Sequence, residues 1–186
     1  MDTETKATLN WKEIGQRFRD VRLNRDYTQL QIGEVASQNK GAIAMFEIGA
    51  KPASTHYALF LRNEFGISFD WLYEGVENLR SEKDRTTKKA LDRKLIGQRL
   101  KSLRLGMGLT QKEFGLVVGL THAGISRIEN GIRTPEIKTA LKIKRALNKP
   151  LDWLYFGDEE IIPNSRKKGR RMPILNSCSK KKSMKV

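Results

Sequence analysis

Residues 110–131 read TQKEFGLVVGLTHAGISRIENG, and the order of caps, apolar positions and glycines in this stretch decides the fold. Thr110-Gln111-Lys112-Glu113 is a capping-box sequence, in which a threonine and an acidic residue three positions on satisfy each other's backbone donors at a helix start. Phe114, Val117 and Val118 follow as an inward face. Gly119 breaks the helix, Leu120 plugs the turn, and Thr121 caps a next helix whose Ile125 and Ile128 point to the core. Gly131 ends it. The stretch predicts two short helices joined by a tight turn.

Working outward, Ile96, Leu100 and Leu103 mark a preceding helix stopped by Gly106 and Gly108. Downstream, Thr134-Pro135 predicts a fourth helix with proline at its first position, where the missing N–H costs nothing. Ala140, Leu141, Ile143 and Leu147 would line its inner face, and Pro150 to Phe156 reads as a short fifth helix closed by Gly157. The five-helix unit spans 94–158.

Shifted by 82 residues, the chain lands on itself without a gap. Ile14-Gly15-Gln16-Arg17 meets Ile96-Gly97-Gln98-Arg99, and Asp70-Trp71-Leu72-Tyr73 meets Asp152-Trp153-Leu154-Tyr155. Of the 65 positions in 11–75 set against 93–157, 21 are identical, which predicts a second copy of the same unit over 11–75. Its core stripe is Ile14, Phe18 and Val21, then Ile32 and Val35, then Ile43 and Phe46. No segment alternates with period two for long enough to make a sheet, so the fold class is all-α. Residues 76–93 form a polar linker that is either flexible or a backward extension of the next helix through Ala90 and Leu91. Residues 159–186 form a basic tail that reads as disordered when free.

Charge is distributed unevenly. The net charge is +15, yet residues 1–80 carry 10 basic and 11 acidic side chains. Residues 94–158 carry 12 basic and 5 acidic, a balance of +7, and 166–186 add nine basic side chains with no acidic one. A field of that sign, placed there, points to a polyanion, most often nucleic acid. The absence of a long apolar run argues against a membrane span, and the polar N-terminus against a secretory signal, so a cytoplasmic, nucleoid-associated location is expected. One cysteine, Cys178, and two histidines, His56 and His122, argue against a disulfide framework or a Cys/His zinc site. With no nucleophile elbow, phosphate-cradling glycine loop or His-carboxylate set, neither an enzyme nor a cofactor is expected.

The 110–131 stretch, with Arg133 and Pro135 after it, closely resembles the helix-turn-helix of the phage-repressor (Cro/XRE) family. The resemblance covers both units and implies two lambda-repressor-like domains, in which the third helix enters the major groove of an operator. Buried Ile125 and Ile128 would turn His122, Ala123, Ser126 and Arg127 outward, and Thr121 opens the same face. By resemblance, Gln111 anchors one phosphate, and Asn130 with the loop to Arg133 clamps a second. The resemblance also pairs Arg104 with Glu129, and Arg22 with Glu47, as partly buried structural salt bridges. In the first copy the weaker DNA-facing set is Gln29, Asn39, Lys40, Ala44, Met45 and Lys51. There Ser37 and Gln38 stand at the positions of Gly119 and Leu120. His56 reads as structural, Trp71 and Trp153 as core, and Arg166 to Arg171 as a DNA arm.

The sequence therefore predicts a transcriptional regulator that reads double-stranded DNA mainly with the third helix of the second copy. An alternative stays open: an antitoxin or antiactivator whose first copy binds a partner protein. Within the regulator reading, the near-neutral first copy suits its twin or a polymerase subunit better than phosphate. Two arrangements on DNA also stay open, a single-chain pseudo-dimer and a homodimer. The weak reading face of the first copy favours the homodimer.

Overall fold

The computed structural model describes residues 9–76 and 87–158. Among the described residues there are ten helices and no strand. The first five are α1 (Trp11–Leu23), α2 (Gln29–Val35), α3 (Lys40–Glu47), α4 (Thr55–Phe65) and α5 (Phe69–Glu74). The second five are α6 (Arg93–Gly106), α7 (Gln111–Val118), α8 (His122–Glu129), α9 (Ile137–Leu147) and α10 (Leu151–Phe156). No described helix is long and apolar enough to cross a membrane. The expected tail, 159–186, and most of the expected linker lie outside the described residues.

Short helices depend on their ends, because few internal hydrogen bonds offset the cost of nucleation. Two capping boxes form, one in each unit. Thr110 Oγ1 accepts from Glu113 N at 3.3 Å while Glu113 accepts from Thr110 N at 2.8 Å. Thr28 and Gln31 do the same at 3.2 and 2.8 Å. The Thr110 backbone and hydroxyl hold the Glu113 carboxyl below its ordinary pKa. Five left-handed positions in the first unit, Asp26, Ser37, Gly49, Gly66 and Gly75, have left-handed counterparts 82 residues on: Gly108, Gly119, Gly131, Asn148 and Gly157. The backbone path is thus kept even where only one of a pair is glycine.

Two expectations are corrected. The fourth helix of the second unit opens at Ile137 rather than Pro135, with Glu136 at its cap and no side-chain cap bond. The Pro135 carbonyl accepts the Tyr155 hydroxyl at 2.7 Å, which ties this approach to α10, and Glu136 is extended. Val35 and Val117 are exposed rather than inward, at 52% and 47%. At about 100° per residue, the buried Phe114, Gly115 and Val118 share one face of α7, and Val117 falls at its edge. The other apolar positions predicted for the cores are buried, apart from Leu103, Leu120, Leu147 and Trp153, which are half-buried.

The two units pack against each other through α5 and α10. Asp70, fully buried, accepts from Leu151 N at 2.9 Å and Asp152 N at 3.1 Å, while Asp152 accepts from Asp70 N at 3.3 Å. Phe69 lies edge-on to Tyr155 and Phe156, with ring centroids 5.2 and 5.0 Å apart. Buried Arg62 pairs with Asp152 and Asp158 at 3.5 and 2.7 Å and covers the Phe156 ring. Lys144 pairs with Asp70 and with Glu74. Burial works against the Lys144 ammonium, but those carboxylates outweigh it and raise its pKa above the ordinary lysine value. That contribution to stability is present below the ordinary lysine pKa and is lost as pH rises through the raised one.

The chain entering α6 is not a backward extension of that helix. Asp92 caps α6 by accepting from Lys94 N and Leu95 N, and Asn63 holds Lys89 through two backbone bonds of 2.9 Å each. The described end of the linker is therefore strapped along α4.

Candidate nucleic-acid interface

The α7–turn–α8 pair is built around two close approaches. A Cβ on Gly115 would sit 2.7 Å from the Leu120 carbonyl oxygen, so the turn closes directly over that glycine. Gly119 supplies the left-handed residue at the end of α7. Thr121 Oγ1 then accepts from Gly124 N at 3.1 Å and fixes the start of α8. With Ile125 and Ile128 buried, α8 turns His122, Ala123 and Arg127 to solvent and leaves Ser126 half-buried, the face expected from the sequence.

Behind α8 lies a charged anchor. Arg104 donates to both Glu129 oxygens, at 2.7 and 3.0 Å, and to the Leu109 carbonyl at 2.7 Å. The Glu129 hydrogen bond raises the Arg104 pKa against the opposing effect of burial. Gln111 Nε2 donates to the same Glu129 at 2.8 Å. An amide has a second N–H, so Gln111 is steered by a buried carboxylate while keeping a donor at the α7 N-terminus, where the helix dipole favours an anion. The first unit repeats this set: Arg22 bonds Glu47 at 2.5 and 2.8 Å, and Gln29 bonds Glu47 at 2.9 Å.

At the C-terminal end of α8, Asn130 donates to Ser126 Oγ at 3.2 Å. The Ile132 and Arg133 amides both bond the Arg127 carbonyl, which holds the loop against the end of α8. Arg133 pairs with Glu136, and both side chains are exposed. Such surface pairs are weak, typically about 0–1 kcal/mol, so Arg133 is readily released from Glu136. A cleft of about 410 Å³ runs beside α8, with Arg127, Arg133 and Lys142 among its lining. Lys142 was missed in the sequence because nothing in the local pattern of α9 tells that it faces the α7–α8 turn.

The first unit differs at the corresponding positions. Asn39 uses its side-chain oxygen to cap α3 through Ala42 N at 2.6 Å. Lys40 and Lys51 are exposed, while Ala44 and Met45 are half-buried. Ser37 takes the left-handed conformation that glycine takes in the second unit, and Gln38 bonds the Ser37 carbonyl at 3.0 Å. Trp71 is buried and Trp153 half-buried, whereas His56 is exposed on α4.

All-helical architecture, capped paired helices and a polar outward face define a helix-turn-helix protein. A helix-turn-helix family profile matches residues 100–154. An uncharacterized HTH-type transcriptional regulator of Rickettsia prowazekii is 32% identical over 65 residues, covering 35% of this chain and 50% of that protein. YgzD, an uncharacterized HTH-type transcriptional regulator of Bacillus subtilis, is 32% identical over 62 residues, covering 33% of this chain and 94% of that protein. An uncharacterized HTH-type transcriptional regulator of Archaeoglobus fulgidus is 34% identical over 68 residues, covering 37% of this chain and 96% of that protein. The match to the rickettsial relatives spans about half their length. No solved structure matches the chain. The chain belongs to the helix-turn-helix family of Cro/XRE type.

Proposed function

We propose that the chain is a sequence-specific regulator of transcription that binds double-stranded DNA and reads bases chiefly with α8. The observation that carries this is the set of groups framing α8. Thr121, His122, Ala123, Ser126 and Arg127 lie along the helix and its cap, Gln111 opens α7 and bonds Glu129, and Asn130 ends α8 with Arg133 in the loop after it. The unit's balance of +7 supplies the attraction to phosphate. Membership of this family is normally that of a binding protein rather than an enzyme. Selection from random duplexes at moderate salt tests the reading. Enrichment of a defined sequence supports it, and failure to enrich any sequence favours the alternative of a protein-binding antitoxin or antiactivator.

Roles within the surface are separable. Replacing Ser126 and Arg127 by alanine together should lower discrimination between sites by about 1–3 kcal/mol for each good base contact removed. Replacing Lys40 and Met45 should cost less, and equal losses in competition assays would contradict the ranking. Gln111→Ala should instead weaken all duplexes alike, since a phosphate contact positions without specifying.

The basic residues of 166–186 supply a sequence-independent share of affinity in this reading. Deleting 164–186 should shrink the slope of log affinity against log salt and leave the preferred site unchanged. An unchanged slope would remove the tail from the DNA contact.

A further inference from the structure

Resting on the DNA reading above, we propose that one chain is a covalent pseudo-dimer that occupies a single non-palindromic site, with one strictly read half and one permissive half. The interface between the units has the pattern of a twofold. Asp70 and Asp152 are 82 residues apart, and each accepts a hydrogen bond from the other's helix start. Arg62 and Lys144, also 82 apart, each reach across to the other unit's aspartate. Contacts in which residue i meets residue j and the counterpart of j meets the counterpart of i are the signature of an isologous pair.

The pairing is built into the second unit. Helix α5 has its own cap, Ser68, which accepts from Trp71 N at 3.0 Å. Helix α10 has Pro150 at that position and no side-chain cap of its own, so the carboxylate that meets its first two N–H groups is Asp70 of the first unit. The Asn63–Lys89 strap and the ion pair of Lys89 with Asp158, at 3.0 Å, fasten the same junction. The face on which a twin could pair symmetrically is thus already covered from within the chain. This favours the single-chain arrangement over the two-chain dimer expected from the weak reading face of the first copy.

A twofold relating the units also relates α3 to α8, and paired helix-turn-helix units meet DNA as half-sites about one helical turn apart. The halves differ in chemistry. Beside α8, Arg127 and Ser126 offer hydrogen bonds to base edges. Beside α3, Lys40 offers the hydrogen bonds while Ala44 and Met45 suit a thymine methyl, and Gln29 keeps its anchored place for a phosphate. One half-site is therefore specified and the other mostly positioned.

The full chain and the duplex recovered by selection supply the test. Footprinting with stoichiometry from native mass spectrometry should show one chain protecting two adjacent turns of asymmetric sequence. Inserting about five base pairs, half a turn, between the halves should weaken binding about tenfold or more, because the second contact no longer gains from tethering. Two chains on a palindrome, or an insertion without loss, would overturn the pseudo-dimer and leave the DNA reading intact. No enriched duplex at all would overturn both.

Discussion

Arg104→Ala is expected to destabilise the second unit by about 3 kcal/mol, the lower end of what stranding one partner of a buried pair costs. The loss lies at the lower end because Gln111 still bonds Glu129 at 2.8 Å. A unit of this size has roughly 3–10 kcal/mol in all, so the variant should stand near its folding limit. Urea unfolding of wild type, Arg104→Ala, Glu129→Ala and the double variant measures the coupling. The double variant should lose clearly less than the two single losses added together, since removing both charges strands neither. Simple additivity would mean that the pair contributes nothing as a pair. Surviving folded Arg104→Ala should also bind every duplex more weakly, because the Glu129 carboxylate that steers Gln111 loses the two bonds that hold it in place.

The parts legible in the sequence are those set by neighbours along the chain. Thr110 and Glu113, or Thr28 and Gln31, meet three residues apart, and Gly119 marks a left-handed turn whatever surrounds it. The outward face of α8 followed from Ile125 and Ile128 alone. The Arg104–Glu129 pair came through resemblance, since 25 residues separate the partners. What stayed hidden depends on the two units facing each other. Read within one unit, Asp70 or Asp152 is an acidic residue in the first turn of a short helix, where it complements the dipole. Only the packed pair shows each serving the other's helix. The same is true of Arg62, whose aspartates lie in the second unit, and of Asn63, whose partner Lys89 lies in the linker. Val35 and Val117 were misplaced because one turn of helix offers two adjacent apolar positions, and the neighbouring helix decides which is covered.

Gly97→Ala should cost about 2 kcal/mol net, although helix propensity alone predicts a gain of about 1 kcal/mol from replacing an interior helical glycine. Sterics decide the sign. A Cβ at position 97 would sit 2.8 Å from the Glu129 carbonyl oxygen and closer still to that of Ile128. Both obstacles are backbone atoms at the end of α8, so no side chain can rotate away and the two helices must part. Overpacking of this kind typically costs about 1–3 kcal/mol or more. Parting α6 from α8 also moves the Glu129 end of α8 away from Arg104 and disturbs the carboxylate that steers Gln111. The variant should therefore lose thermal stability and DNA affinity together. Gly106→Ala is the matched control, because a Cβ there meets nothing within 4 Å, and it should be neutral or stabilising. If Gly97→Ala raised the melting temperature as Gly106→Ala does, the close crossing of α6 over α8 would not set the position of α8.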